Sequence, residues 1–159
     1  MIKNILLITL FIAYNGSIMC SDTHLPATQA TEKTDTDGNT DLHMLTSAPH
    51  PKSPSPFAQM PDFQRAQHAL RLIENNANVY TPNNSQYKNT PLDYAVHFQE
   101  EAPHVYTVIN ACAEISKLAV QRDKLAKRGQ DLTQTARDKW TAQQEALKPY
   151  RTQSGAAAN

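Results

Sequence analysis

Thr90-Pro91-Leu92-Asp93-Tyr94-Ala95 reads as the start of a helix, and its two flanks constrain the fold more than any other part of this 159-residue chain. A threonine side chain accepts a hydrogen bond from the free amides of a first helical turn, and proline has its φ preset for the first helical position. Leu92, Ala95 and Val96 then fall at helical spacing on one face, and the small Ala95 lets a second helix approach closely. That second helix carries Val105, Val108, Ile109 and Cys112, three or four apart. A turn at Glu101-Ala102-Pro103 separates the two, because proline discourages helix at the residue before it. Upstream, Leu72-Ile73-Glu74-Asn75-Asn76-Ala77-Asn78-Val79 reads as a helix end and its exit turn, with Asn76 suited to a left-handed backbone. Pro61-Asp62 starts that earlier helix, and Ala66, Ala69, Leu70 and Ile73 line its buried side.

Taken together, these residues resemble the ankyrin repeat family. The hexapeptide is similar to the Thr-Pro-Leu-His-x-Ala signature that opens a unit, with Asp93 where histidine is usual. Leu72 to Val79 is similar to the Leu-Leu-x-x-Gly-Ala-Asp/Asn-Val run that closes the preceding unit, with Asn76 in place of glycine. Lys88 stands where a glycine normally precedes Asn-Thr-Pro, and the eleven-residue step from Val79 to Thr90 implies an extended loop. The resemblance covers about residues 62–115, with one complete unit from about Tyr80 to Ala113 and half a unit before it. Such units bury their faces on neighbours and about three are normally needed, so another part of the chain must cover the ends.

What the resemblance implies is a non-enzymatic scaffold that binds another protein through loop tips and inner helices. The matching positions are Tyr80, Asn83, Tyr87, Lys88, Asp93, Tyr94, His97 and Phe98, while Thr90, Pro91, Leu92 and Ala95 hold the repeat motif. Tyr80, Tyr87, Tyr94 and Phe98 would make an aromatic patch of the kind interfaces favour. The plainer reading is that Tyr94 and Phe98 pack against the next helix. The rival class is an envelope-associated or self-assembling helical protein that associates through its C-terminal helix.

The stretch from Ala113 to Leu147 has no proline and is rich in helix formers. Ile115, Leu118, Leu125, Leu132, Ala136, Trp140 and Leu147 recur at threes, fours and sevens, but the partner positions of a coiled-coil seam are polar. The stretch is either one long helix or an antiparallel pair broken near Gly129, with Asp131 capping the second helix. Either form would pack on the repeat as its cap. The expected fold is therefore all-α: a short ankyrin-like solenoid at 57–115, a capping helix or hairpin at 116–148 and a disordered tail at 149–159.

The N-terminus reads as an export signal over residues 1–20: Lys3, the apolar run Ile5 to Tyr14, and a polar exit ending at Ile18-Met19-Cys20. That run is too short to span a membrane, which takes about 20 residues. The expected location is secreted or periplasmic. Cys20 stands where the lipid-bearing cysteine of a lipoprotein would, although Met19 is larger than such sites use. Lipidation there, or an uncleaved signal, is the route to membrane attachment. Residues 21–56 hold Pro26, Pro49, Pro51, Pro54 and Pro56, with Leu25, Leu42, Met44 and Leu45 isolated among polar residues, and read as a disordered spacer.

Charge sums to zero but is uneven: six acidic against two basic residues from Ser21 to Asp62, and nine basic against five acidic from Glu114 to Arg151. Acids interleave with the basic residues and aromatic platforms are few, so the basic stretch reads as a solvated helix face and not a nucleic-acid site. The histidines at 24, 43, 50, 68, 97 and 104 form no i, i+3 or i+4 ligand pair. Phosphate loops, nucleophile elbows and paired-carboxylate motifs are absent. Catalytic, metal and cofactor sites are therefore not expected, nor is a small-molecule substrate. Cys112 reads as a buried small hydrophobe.

Overall fold

The computed structural model describes residues 34–48 and 55–151. The expected signal at 1–20, the question of Cys20, most of the proline-rich spacer and the tail at 152–159 lie outside the described residues. Five helices make the fold all-α: α1 Asp41–Thr46, α2 Asp62–Glu74, α3 Pro91–His97, α4 Pro103–Ala126 and α5 Gln134–Arg151. No strand occurs among the described residues.

The helices form two units of one plan, each a tight loop, a short inner helix and a longer outer helix. Thr90 caps α3 as expected: its Oγ1 accepts from Asp93 N at 3.2 Å, and Asp93 Oδ2 accepts from Thr90 N at 2.8 Å. The same box stands fifty residues earlier, where Thr40 Oγ1 accepts from His43 N and Thr40 N donates to His43 Nδ1 at 3.1 Å. Each box follows a matching turn. Gly38 N donates to Asp35 O at 3.1 Å, and Lys88 N donates to Ser85 O at 3.0 Å. Gly38 and Lys88 are both left-handed, with φ of 72° and 49°. Gly38-Asn39-Thr40-Asp41-Leu42 is thus the counterpart of Lys88-Asn89-Thr90-Pro91-Leu92.

This first unit overturns the expectation that the chain is a disordered spacer as far as residue 56. Within it, residues 34–48 form a turn and α1. Leu42 and Leu45 share one helix face and are fully buried. Composition is a poor guide at this segment, because its few apolar side chains are covered by helices from elsewhere in the chain. Here α2 and α3 supply the other half of the core, and two buried leucines contribute about 1.5–3 kcal/mol each as an upper estimate. Asp35 Oδ1 also accepts from Asp37 N and Asn39 N, which shapes the turn before α1.

α2 ends as its asparagine suggests. Asn76 has φ 73°, Asn76 N donates to Ile73 O and Ala77 N to Leu72 O, closing the helix in the manner usual for glycine. Ala66, Ala69 and Leu70 are buried on its inner side, against Val105, Val108 and Ile109 of α4. Ala102 gives α4 no side-chain cap, and Asp62 at the start of α2 does so from across the interface. Its Oδ2 accepts from His104 N at 2.8 Å and its Oδ1 from Val105 N at 3.4 Å.

The expected boundary at 115–116 falls inside α4, which runs on to Ala126. Neither proline nor glycine interrupts it, and Ile115 and Leu118 continue its buried stripe. Gly129, φ 66°, then breaks the chain: Gly129 N donates to Ala126 O and Gln130 N to Leu125 O. Of the two forms left open by the sequence, the antiparallel pair is the one that forms. The cap of α5 is Thr133, whose Oγ1 accepts from Ala136 N at 3.3 Å, not Asp131. α5 packs on α4 and α2 and continues past Pro149 to Arg151, beyond the expected end at 148. Leu147 is fully buried, the rings of Tyr150 and Phe63 lie 5.2 Å apart, and the Tyr150 hydroxyl shares a hydrogen bond with His104 Nδ1 at 2.9 Å. Lys139 reaches from α5 to Glu114, which Lys117 also meets at 2.8 Å. These two ammonium groups hold the Glu114 carboxyl below its ordinary range.

Candidate functional site

The loop between the units, residues 80–90, is built on Asn83. Asn83 Oδ1 accepts from Ser85 N and Ser85 Oγ, and Asn83 N donates to Asn89 O at 2.9 Å, which pinches the loop shut. Asn83 Nδ2 donates to Asn39 Oδ1 at 2.9 Å and to the Tyr94 hydroxyl at 3.2 Å. Beside it, Asn84 N donates to Asp37 O at 2.8 Å. Gly38 allows this approach, because a Cβ there would lie 2.5 Å from Asn84 Nδ2. The second loop is therefore laid along the first.

His43 completes the join. Its Nδ1 accepts from Thr40 N, so the proton sits on Nε2, which donates to Asn89 O at 3.2 Å. The Tyr94 ring meets it edge-on with centroids 6.2 Å apart. Burial holds the His43 pKa below its ordinary value, so the ring is neutral and both nitrogens are used.

The residues picked out by sequence separate into two groups. Asn83 and Tyr94 turn inward and join the units: Asn83 is buried and Tyr94 half-buried. Asp93 caps α3 while remaining exposed. Tyr80 is 38% exposed and donates through its hydroxyl to Ala113 O on α4. Tyr87 is 76% exposed, Lys88 is exposed, and His97 is exposed with its ring edge-on to the half-buried Phe98. Of the four aromatic residues expected in one patch, Tyr94 sets its ring edge-on to His43. Pro91 and Ala95 are buried and Leu92 half-buried.

Val96 departs from its expected place. The sequence put it with Leu92 and Ala95 on the buried face, yet it is 47% exposed. α3 is only seven residues long and buries the side carrying Pro91 and Ala95. Asp93, Val96 and His97 form an exposed stripe at helical spacing. Fifty residues earlier the equivalent positions are His43, Thr46 and Ser47, and there His43 and Thr46 are fully buried. The same side of the inner helix is thus covered in the first unit and open in the second. Tyr80, Tyr87 and Val96 are the large apolar residues most exposed among those described, and all belong to the second unit. Sequence could have shown this had Asn39-Thr40-Asp41-Leu42 been matched to Asn89-Thr90-Pro91-Leu92.

Among the described residues no cluster of three His, Cys, Asp or Glu is placed to hold a metal ion, and no helix is long and apolar enough to cross a membrane. No family model, curated protein or solved structure matches this chain.

Proposed function

We propose that this protein is a non-enzymatic protein-binding module made of two degenerate ankyrin-type units, which engages a protein partner through the second loop and the open side of α3. The observation that carries this reading is the stripe Asp93, Val96 and His97, exposed where His43 and Thr46 of the first unit are buried and Ser47 is half-buried. Repeat units are built to cover that side with a neighbour, and an uncovered one is a ready surface for another chain. Tyr87 adds a large amphipathic side chain at the loop tip, a residue type enriched in interface hot spots. Two further features support the ankyrin assignment: the paired Thr-x-x-His and Thr-x-x-Asp boxes, and the left-handed Gly38 and Lys88 before them. We further propose export, resting on the composition of residues 1–20.

The test is binding by the full chain carrying Tyr87→Ala or Val96→Arg, against a control such as Lys124→Glu on the far end of α4. Loss of a specific protein partner with the first two, at unchanged helicity and with the control intact, supports the reading. Equal loss with the control, or retention with all three, contradicts it.

A further inference from the structure

Among the described residues, exposed basic side chains lie outside the helices in two places: the second loop at Lys88, and the α4–α5 connection at Lys127-Arg128. The two differ in how firmly the backbone is held. The peptide that follows Lys88 is pinned on both sides. Lys88 N donates to Ser85 O, and Asn89 O accepts from Asn83 N at 2.9 Å and from His43 Nε2 at 3.2 Å. Thr90 N then donates to Asp93 Oδ2 at 2.8 Å. Drawing this loop out would break the join between the two units.

The α4–α5 connection is held differently. Ala126 to Asp131 are all exposed, and residues 130–133 belong to no helix. Its own bonds, Gly129 N to Ala126 O and Gln130 N to Leu125 O, reach only into the last turn of α4. That turn can fray without opening the core: from Ala119 to Ala146 no residue is buried, and Leu125, Leu132, Ala136 and Trp140 are half-buried. Local opening therefore takes little free energy here and much at Lys88, and proteases act on the opened form. Beyond the turn α5 is anchored elsewhere. Leu147 is fully buried, the Tyr150 ring lies against Phe63, Arg151 Nε meets Glu74 Oε1 at 3.1 Å, and Lys139 reaches Glu114.

We propose that the Arg128–Gly129 peptide bond is a processing site for a serine endoprotease specific for basic residues, and that α5 stays docked as a separate chain after the cut. The Arg128 guanidinium fills an acidic specificity pocket of the protease, and Gly129 presents no Cβ on the leaving side. The protease serine oxygen attacks the Arg128 carbonyl carbon, the bond to Gly129 N breaks, and that nitrogen leaves with a proton as a new amino terminus. Water then frees Arg128 as a carboxylate and restores the serine. The docking of α5 becomes bimolecular, held by Leu147, Tyr150 and the ion pairs to Glu74 and Glu114.

Trypsin at a low ratio to the full native chain, followed by intact mass, tests it. Among the bonds within residues 55–151, the first to be cut should be Arg128–Gly129, releasing a fragment of residues 129–159, with the bond after Lys88 slower by about tenfold or more. Lys127→Gln combined with Arg128→Gln should slow the first cut within residues 55–151 by about tenfold or more at unchanged helicity. The two fragments of the cut chain should run together on native size exclusion at micromolar concentration. A first cut after Lys88 or inside a helix, or an unchanged rate in the double variant, overturns the site. Fragments that part at micromolar concentration overturn the docked α5.

Discussion

His43 Nε2 donates to the carbonyl oxygen of Asn89 across 3.2 Å, and this bond fastens the helix start of the first unit to the loop of the second. Asn89 O also accepts from Asn83 N, so one carbonyl holds the second loop closed and tied to its neighbour. Only the neutral ring can at the same time accept from Thr40 N through Nδ1, so protonation breaks the capping box and not the bond to Asn89.

Stability should therefore fall in acid through His43. Its pKa is held down by burial, so the neutral ring contributes stability that is fully present above the unfolded value of about 6.5 and is lost as pH falls through the lower folded value. His68 is lowered in the same sense, by burial first and then by Arg71, and adds to the slope. Urea midpoints measured from neutral pH downward should decline below about pH 6.5, and His43→Gln should flatten part of that decline. His43→Ala should cost about 2–4 kcal/mol at neutral pH, from the lost bonds to Thr40 N and Asn89 O and the buried polar groups they leave unpaired.

Lys88 occupies a backbone conformation that glycine adopts freely, as Gly38 does in the first unit. Lys88→Gly should raise stability by about 1 kcal/mol by removing the left-handed penalty. The reverse change, Gly38→Ala, should lower it by more than that, since its Cβ would meet the Asn84 side chain at 2.5 Å as well as a φ of 72°. Paired denaturation curves decide both.

Asp62 and Arg65 make opposite predictions although they lie 3.6 Å apart. Asp62 caps α4 from α2, so Asp62→Ala should cost about 2–4 kcal/mol, by uncapping α4 and leaving Arg65 without its acid. Arg65 is buried with Nε and Nη1 unpartnered, and burial lowers its pKa while Asp62 raises it. Arg65→Met should therefore be neutral or stabilising, which a thermal melt would show.

The C-terminal hairpin covers the outer helices through Leu147 and Tyr150. Leu147→Ala should cost about 2–5 kcal/mol. A fragment ending at Cys112 should lose cooperative folding, because it lacks α5 and the continuation of α4. A sharp, reversible melt of that fragment would show that the hairpin is not a cap.

Much of this fold was legible where local chemistry and periodicity agree. Thr90-Pro91 starts α3, Asn76 ends α2 and Gly129 ends the helix before α5, each through a residue whose backbone preference names its role. The first unit was not legible by composition. Asp41 stands where the second unit has proline, Leu45 where it has the small Ala95, and the surrounding residues are polar. Its two leucines gain their stabilisation from helices far along the chain, which a local window does not register. Val96 was misplaced for a related reason. Helical spacing says which residues share a face, but only the neighbour decides which face is covered. Asn83, a loop-tip contact by its sequence position, points inward, since its amide fits between Asn39 and Tyr94.

Amide hydrogen exchange of the full chain at neutral pH tests the two-unit architecture most directly, since the open side of α3 is defined only by comparison with α1. Met44 and Ser47, whose amides bond to Thr40 O and His43 O, should exchange on the slow timescale of the α2 and α4 core, and should be released together with it in denaturant. Exchange of these amides within seconds while α2 and α4 stay protected would mean that α1 is not part of the folded unit, and would contradict the two-unit fold.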